Sequence, residues 1–234
     1  MLIIGHRGAS GTAPENTPAS FEKAIRMGVE MIELDVHRCA SGELVVIHDE
    51  KINRTTSGKG LVSDKTLHEL QQADAGDGER IPTLHEVLSL VNRRAKVNIE
   101  LKGSGVAVST ADLLHYYKEN RGWQTGDFYI SSFDHQQLMQ FRELDHFTKI
   151  GILYEKHPHG FVVLAKALKA TSVNIPMRVV SPELVNEIHG HRLEVWVYTV
   201  NNPRLLKRLQ ELNVEALFTN YPDRFLYRGN ALKI

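Results

Sequence analysis

The chain has 234 residues, 42% hydrophobic and 24% charged, with 28 Lys plus Arg against 28 Asp plus Glu. This length and composition suit one domain over residues 1–234 with one substantial core, and the balanced charge excludes the global positive field that gathers nucleic acid. The single cysteine, Cys39, excludes a disulfide framework. No run is long enough to span a membrane, and the apolar stretch Met1 to Gly5 is too short for a secretory leader. The expectation is a cytoplasmic protein without stable membrane insertion; oligomeric state leaves no signature here.

In chain order, Leu2, Ile3 and Ile4 read as a buried strand with His6-Arg7-Gly8 at its C-terminal end. Thr17 is a good helix N-cap and Pro18 a good first helical residue; Phe21, Ala24 and Ile25 supply an apolar stripe, and Gly28 stops it. The run from Gly28 to Val36 is the most informative in the chain. Ile32, Leu34 and Val36 alternate with Met31, Glu33 and Asp35, so the two carboxylates project from one face of a strand whose other face demands cover. Side by side they repel and resist burial, which is reconciled by a cation between them or by a shared proton; an exposed edge strand is the bland alternative.

Beyond Gly42, residues 44–47 form a second apolar run ending in His48-Asp49. Residues of about 50–81 are polar and rich in glycine, with one weak helical piece around Leu67 to Leu70, and read as a small insertion. From Pro82 the alternation of helix and strand resumes, and in residues 97–102 Glu100 and Lys102 share one face while Ile99 and Leu101 share the other. Further strands are expected at residues 128–131, 149–153, 172–175, 194–200 and 216–219, with helical stretches between or after them. Eight strand and helix pairs at this length predict a parallel (β/α)₈ barrel, whose sites lie at the C-terminal ends of the strands. A doubly wound sheet is the alternative, but no glycine-rich dinucleotide fingerprint follows the first strand.

On a barrel, His6, Glu33, Asp35, His48, Glu100 and Lys102 converge on one rim. Three carboxylates with few soft ligands suit Mg²⁺ or Ca²⁺ better than zinc. Two histidines can take a proton from one oxygen and give one to another near neutral pH. Arg7 and Lys102 add fixed positive charge, which argues for an anionic substrate, and a guanidinium fork suits phosphate. The chemistry expected from these residues is metal-assisted phosphoryl transfer.

These residues resemble the glycerophosphodiester phosphodiesterases. The resemblance is carried by His6-Arg7-Gly8, Glu15-Asn16-Thr17 with Phe21 and Ala24, residues 32–36, Val45-Val46-Ile47-His48-Asp49, Arg54-Thr55-Thr56 with Gly58 and Gly60, residues 98–102, Ser132-Phe133 and Thr199-Val200-Asn201, in family order over nearly the whole chain. It implies a TIM barrel, a characteristic insertion after His48, and one divalent cation, Mg²⁺ or Ca²⁺, on Glu33, Asp35 and Glu100. It also implies His6 and His48 as general acid and base, and Arg7 and Lys102 as phosphate contacts, with Glu15, Phe133 and Tyr198 beside the substrate. The implied reaction releases sn-glycerol 3-phosphate and an alcohol from a small glycerophosphodiester, through attack by the glycerol 2-hydroxyl and a cyclic phosphate, or by direct attack of water. Lysophospholipase D action, a lyase stopping at the cyclic phosphate, and a non-catalytic binding protein are the competing functions. The chain departs from the family pattern in three places. Cys39 and Ser41 replace a usual Thr and Asp, expected to be surface variation. Tyr198 stands where Trp is frequent, and Asn220 where Asp is frequent, an expected loss of an outer carboxylate.

Overall fold

The computed structural model describes residues 1–226. Eight parallel strands close into a barrel: β1 (Leu2–Gly5), β2 (Met31–Arg38), β4 (Lys96–Leu101), β5 (Phe128–Ser132), β6 (Lys149–Leu153), β7 (Ser172–Pro176), β8 (Glu194–Tyr198) and β9 (Ala216–Thr219), with β9 returning to pair with β1. One short strand stands outside the ring. β3 (Leu44–Val46) pairs antiparallel with the end of β2, Val36 opposite Val46. The apolar run after Gly42 is therefore the return arm of a hairpin and contributes no barrel strand.

Helices α1 (Pro18–Arg26), α3 (Leu84–Val91), α4 (Val106–Asn120), α5 (His135–Leu144), α6 (Phe161–Leu168), α7 (Pro182–Gly190) and α8 (Leu206–Glu211) connect the strands, α2 (Leu67–Gln71) lies within the 50–81 stretch, and α9 (Asp223–Leu226) follows β9. Side-chain caps fix several starts: Thr17 accepts from Ser20 N at α1, and Thr83 forms a capping box with Glu86 at α3. The alternation in β2 and β4 sorts the core. Ile32, Leu34, Val36, Val97, Ile99 and Leu101 join the layer between strands and helices. Inside the barrel, Ile4, Met31, Tyr129, Trp196, Ala216 and Phe218 form a separate apolar cluster. Polar side chains further along the same strands are thereby left to line the mouth.

The stretch after His48 carries its own small core. Ile52, Val62, Leu70, Ala73, Ala75 and Ile81 cluster with Val45, Ile47 and Cys39. Cys39 is thus buried, not a surface variant: its sulfur lies against the Glu43 carboxylate at 3.2 Å. α2 is short but well capped, with Thr66 and Glu69 forming a capping box.

Candidate active site

The register of the ladder sets the site. Glu33 is opposite Asn98 and Asp35 opposite Glu100 on the paired strands β2 and β4, so three buried carboxylates meet, with one oxygen of each lying within 4.8 Å of the others. Glu33 Oε1 and Asp35 Oδ1 accept no hydrogen bond within the described residues. Burying such oxygens without partners is costly. An all-oxygen set of this size fits a hard divalent cation.

Charge tells the same story. Burial, reinforced by Asp35 and Glu100, holds Glu33 well above the usual carboxylate range. Burial and Asp35 push Glu100 up to about 7, with Lys102 pulling the other way. For Asp35 burial also opposes ionisation, but Lys102, Arg7, His48 and Asn16 outweigh it and hold the group low. Three carboxylates in one space without enough positive charge cannot all ionise comfortably.

Arg7 and Lys102 supply the fixed charge. Arg7 has a left-handed backbone (φ 55), and its N–H donates to Glu33 Oε2 at 2.8 Å while Ser20 Oγ donates to its carbonyl at 2.8 Å. Glycine must follow. Gly8 has φ 82, and a Cβ there would lie 2.4 Å from Ser20 Oγ. The Arg7 guanidinium reaches Asp35 Oδ2 at 3.3 Å, and Lys102 Nζ lies 2.5 Å from Glu100 Oε1 and 3.5 Å from Asp35 Oδ1.

The two histidines flank the acids. His6 follows β1 on the β9 side, its Nδ1 2.6 Å from Asn220 Oδ1. Burial, with Arg7 beside it, pushes its imidazole down to about 4. His48 follows β3, with Nδ1 2.5 Å from Asp49 Oδ1 and Nε2 3.1 Å from Lys102 Nζ. An ammonium only donates and a carboxylate only accepts, so this His48 carries its hydrogen on Nδ1. Burial lowers its pKa, against the pull of Asp35 and Asp49.

A cavity of about 110 Å³ joins these groups: His6, Arg7, Glu33, His48, Glu100 and Lys102 line it together with Phe133 and Tyr198. Phe133 and Tyr198 meet edge to face at 5.9 Å, with Lys102 over the Phe133 ring. Glu15 is not among its lining residues. Its carboxylate is instead engaged by Arg7 at 2.8 Å and by Arg54.

Several supporting residues were not assigned roles from the sequence. Asn16 Nδ2 donates to Asp35 Oδ2 at 2.8 Å and so orients a carboxylate of the triad. Asn98 donates to Ser131 Oγ at 3.0 Å at the cavity wall. Asp49 and Arg54 build on His48. Asn220, where loss of an outer carboxylate was expected, offers its amide oxygen to the His6 ring instead. The signal available for Asn16, Asp49 and Arg54 was their place beside or within the family motifs.

A TIM barrel whose mouth gathers two carboxylates, two histidines and two cations around one small cavity, with Asp35 beside those carboxylates, suits an enzyme of the phosphoric diester hydrolase class. The model of the glycerophosphoryl diester phosphodiesterase family matches residues 6–224, and the chain belongs to that family. The glycerophosphodiester phosphodiesterase of Bacillus altitudinis is 36% identical to it over 239 residues, with 95% of each chain covered. A protein of the same name from Caldanaerobacter subterraneus is 36% identical over 239 residues, covering 96% of each. The solved structure of an Oleispira antarctica phosphodiesterase in complex with the product sn-glycerol-3-phosphate superposes with a TM-score of 0.89 at 29% identity, covering 96% of this chain and 95% of that one. No helix among the described residues is long and apolar enough to cross a membrane.

Proposed function

We propose that this enzyme hydrolyses small glycerophosphodiesters, the deacylated phospholipids, to sn-glycerol 3-phosphate and an alcohol, with Mg²⁺ or Ca²⁺ held by Glu33, Asp35 and Glu100. The observation that carries the reading is the pairing of a buried, underpartnered carboxylate triad with two differently held histidines around one cavity. The product bound in the Oleispira antarctica relative supports the same substrate class. When bound, the cation supplies Lewis-acid stabilisation of charge on the phosphate and on the attacking hydroxyl.

The chain's own residues do the rest. Arg7 and Lys102 bind the phosphate oxygens, and Phe133 and Tyr198 wall the glycerol moiety. His6, hydrogen-bonded through Nδ1 to a neutral amide and kept unprotonated by burial, takes the proton of the attacking hydroxyl on Nε2. His48 serves the other oxygen. Binding of phosphate draws Lys102 from His48 Nε2, which then takes up a proton from solvent; the Asp49 carboxylate stabilises the imidazolium so formed, and Nε2 delivers that proton to the leaving alkoxide. Attack by the glycerol 2-hydroxyl gives a cyclic phosphate that water then opens, with the histidines exchanging roles.

The test is release of glycerol 3-phosphate from glycerophosphocholine, glycerophosphoethanolamine and a lysolipid, with and without chelator. The expected result is turnover of the glycerophosphodiesters, loss on chelation and recovery with Mg²⁺ or Ca²⁺. Faster turnover of the lysolipid would replace this substrate class with lysophospholipase D action.

A further inference from the structure

Arg54 has no part in the proton transfers above, yet it makes the densest set of polar contacts at the rim. Its Nε donates to Asp49 Oδ2 at 2.7 Å and its Nη2 to Asp49 Oδ1 at 3.0 Å. Toward the other side, Nη1 donates to Glu15 Oε2 at 3.0 Å and Nη2 to Glu15 Oε1 at 2.8 Å. Each carboxylate in turn holds a group that faces the cavity: Asp49 Oδ1 accepts from His48 Nδ1 at 2.5 Å, and Glu15 Oε1 accepts from Arg7 Nη1 at 2.8 Å.

We propose that Arg54 is a positioning residue that ties the His48–Asp49 pair and the Arg7–Glu15 pair into one frame, fixing the distance between the leaving-group proton and the phosphate. The proposal rests on the reading of His48 as the acid. Only a guanidinium offers donors in a planar fork able to grip each of two carboxylates through both oxygens; an ammonium meets them only as a point charge. The Arg54 side chain is 48% exposed, so its ion pairs add little to folding stability. Their value lies in geometry. Without Arg54, Asp49 is free to turn with His48 attached, and Glu15 is left to compete with phosphate for Arg7. The frame also couples the polar stretch after His48 to the loop that carries Arg7, since Arg54 is the member contributed by that stretch.

The experiment is a double-mutant cycle of Arg54→Gln and His48→Ala on glycerophosphocholine, with Arg54→Lys and added guanidinium as further arms. Misplacement of a catalytic group by about 1 Å costs on the order of 10²-fold, so Arg54→Gln and Arg54→Lys are expected to lower kcat about 10- to 100-fold with melting temperature nearly unchanged. Guanidinium should restore part of the Arg54→Gln loss. In the His48→Ala background, Arg54→Gln should cost at least about threefold less than in the wild type, the remaining loss being the share that acts through Glu15 on Arg7, because a residue acting through another loses that part of its effect when the other is gone. Full additivity of the two losses would overturn the proposal, as would wild-type turnover by Arg54→Gln. If His48→Ala itself keeps wild-type turnover, the acid assignment fails and the crystal structure of Arg54→Gln decides: a His48 ring and Arg7 head group displaced by about 1 Å support the frame, and unmoved groups overturn it.

Discussion

His6 and His48 face the same cavity but belong to two differently built regions. His6 is part of the barrel: its N–H donates to Thr219 O at 2.9 Å, and its ring is held by Asn220, next to β9. His48 lies beyond the barrel, after the antiparallel β3, over the small cluster of Ile52, Val62 and Leu70, and is held by Asp49 and by His37 Nε2 on its carbonyl at 3.0 Å. The partners differ as the scaffolds do. A neutral amide stabilises an imidazolium only weakly, and burial and Arg7 outweigh it, which suits a proposed base that must stay unprotonated. A carboxylate does stabilise it, which suits a proposed acid that must hold a proton before giving it up.

The strongest way to disable both halves at once is Glu33→Gln, which removes a charge from the triad they share. Lewis-acid stabilisation is worth several kcal/mol, so turnover should fall on the order of 10³-fold, and calorimetric titration with Mg²⁺ or Ca²⁺ should show weakened binding while the melting temperature holds or rises. Undiminished cation affinity would remove Glu33 from the ligand set.

Core truncation separates the two regions. Leu70→Ala in the small cluster and Ile130→Ala in the barrel layer each remove a fully buried side chain, with an expected cost of about 2–5 kcal/mol. Hydrogen exchange is the readout. Leu70→Ala should deprotect amides of residues 50–75 while leaving the strands protected, and it should lower turnover through His48; Ile130→Ala should lower protection throughout. Equal loss across the molecule from both variants would show that the two regions unfold as one.

The smallest effect is a shift in pH profile. The His6 imidazole is held down to about 4, so it stays unprotonated above that value and the acid limb of kcat/KM is expected below roughly pH 5. Asn220→Asp puts an anion where the amide was, stabilising the protonated ring and raising its pKa. The acid limb should move up by roughly one pH unit. A profile that stays fixed or moves down would contradict His6 as the base.

The sequence made the barrel and the triad legible because both follow from short periods. Two-residue alternation in β2 and β4 put Glu33 with Asp35, and Glu100 with Lys102, on the mouth-facing side, while repeated strands and helices at this length implied the closed ring. What was hidden depends on contacts between distant residues. Nothing local distinguishes Leu44–Val46 as a hairpin arm from a barrel strand, since three apolar residues after a glycine turn serve either purpose. Cys39 looks exposed beside its turn until Val62 and Leu70 cover it. The acid missing at Asn220 was legible, but the hold of its amide on His6 was not, because the two are 214 positions apart. Arg54 belonged to a quoted motif, but its grip on both Glu15 and Asp49 exists only once the polar stretch has folded against the loop after β1.

The division of labour between the two regions is tested most directly by comparing His6→Ala and His48→Ala on a choline diester and on a diester with a nitrophenolate leaving group. Loss of a general acid or base lowers the rate roughly 10²- to 10⁴-fold, and both variants should show this on the choline diester with KM little changed. Nitrophenolate leaves without a proton, so His48→Ala should recover most of its activity on that substrate while His6→Ala stays impaired. Equal recovery of both variants would contradict separate roles, and recovery of His6→Ala alone would reverse them.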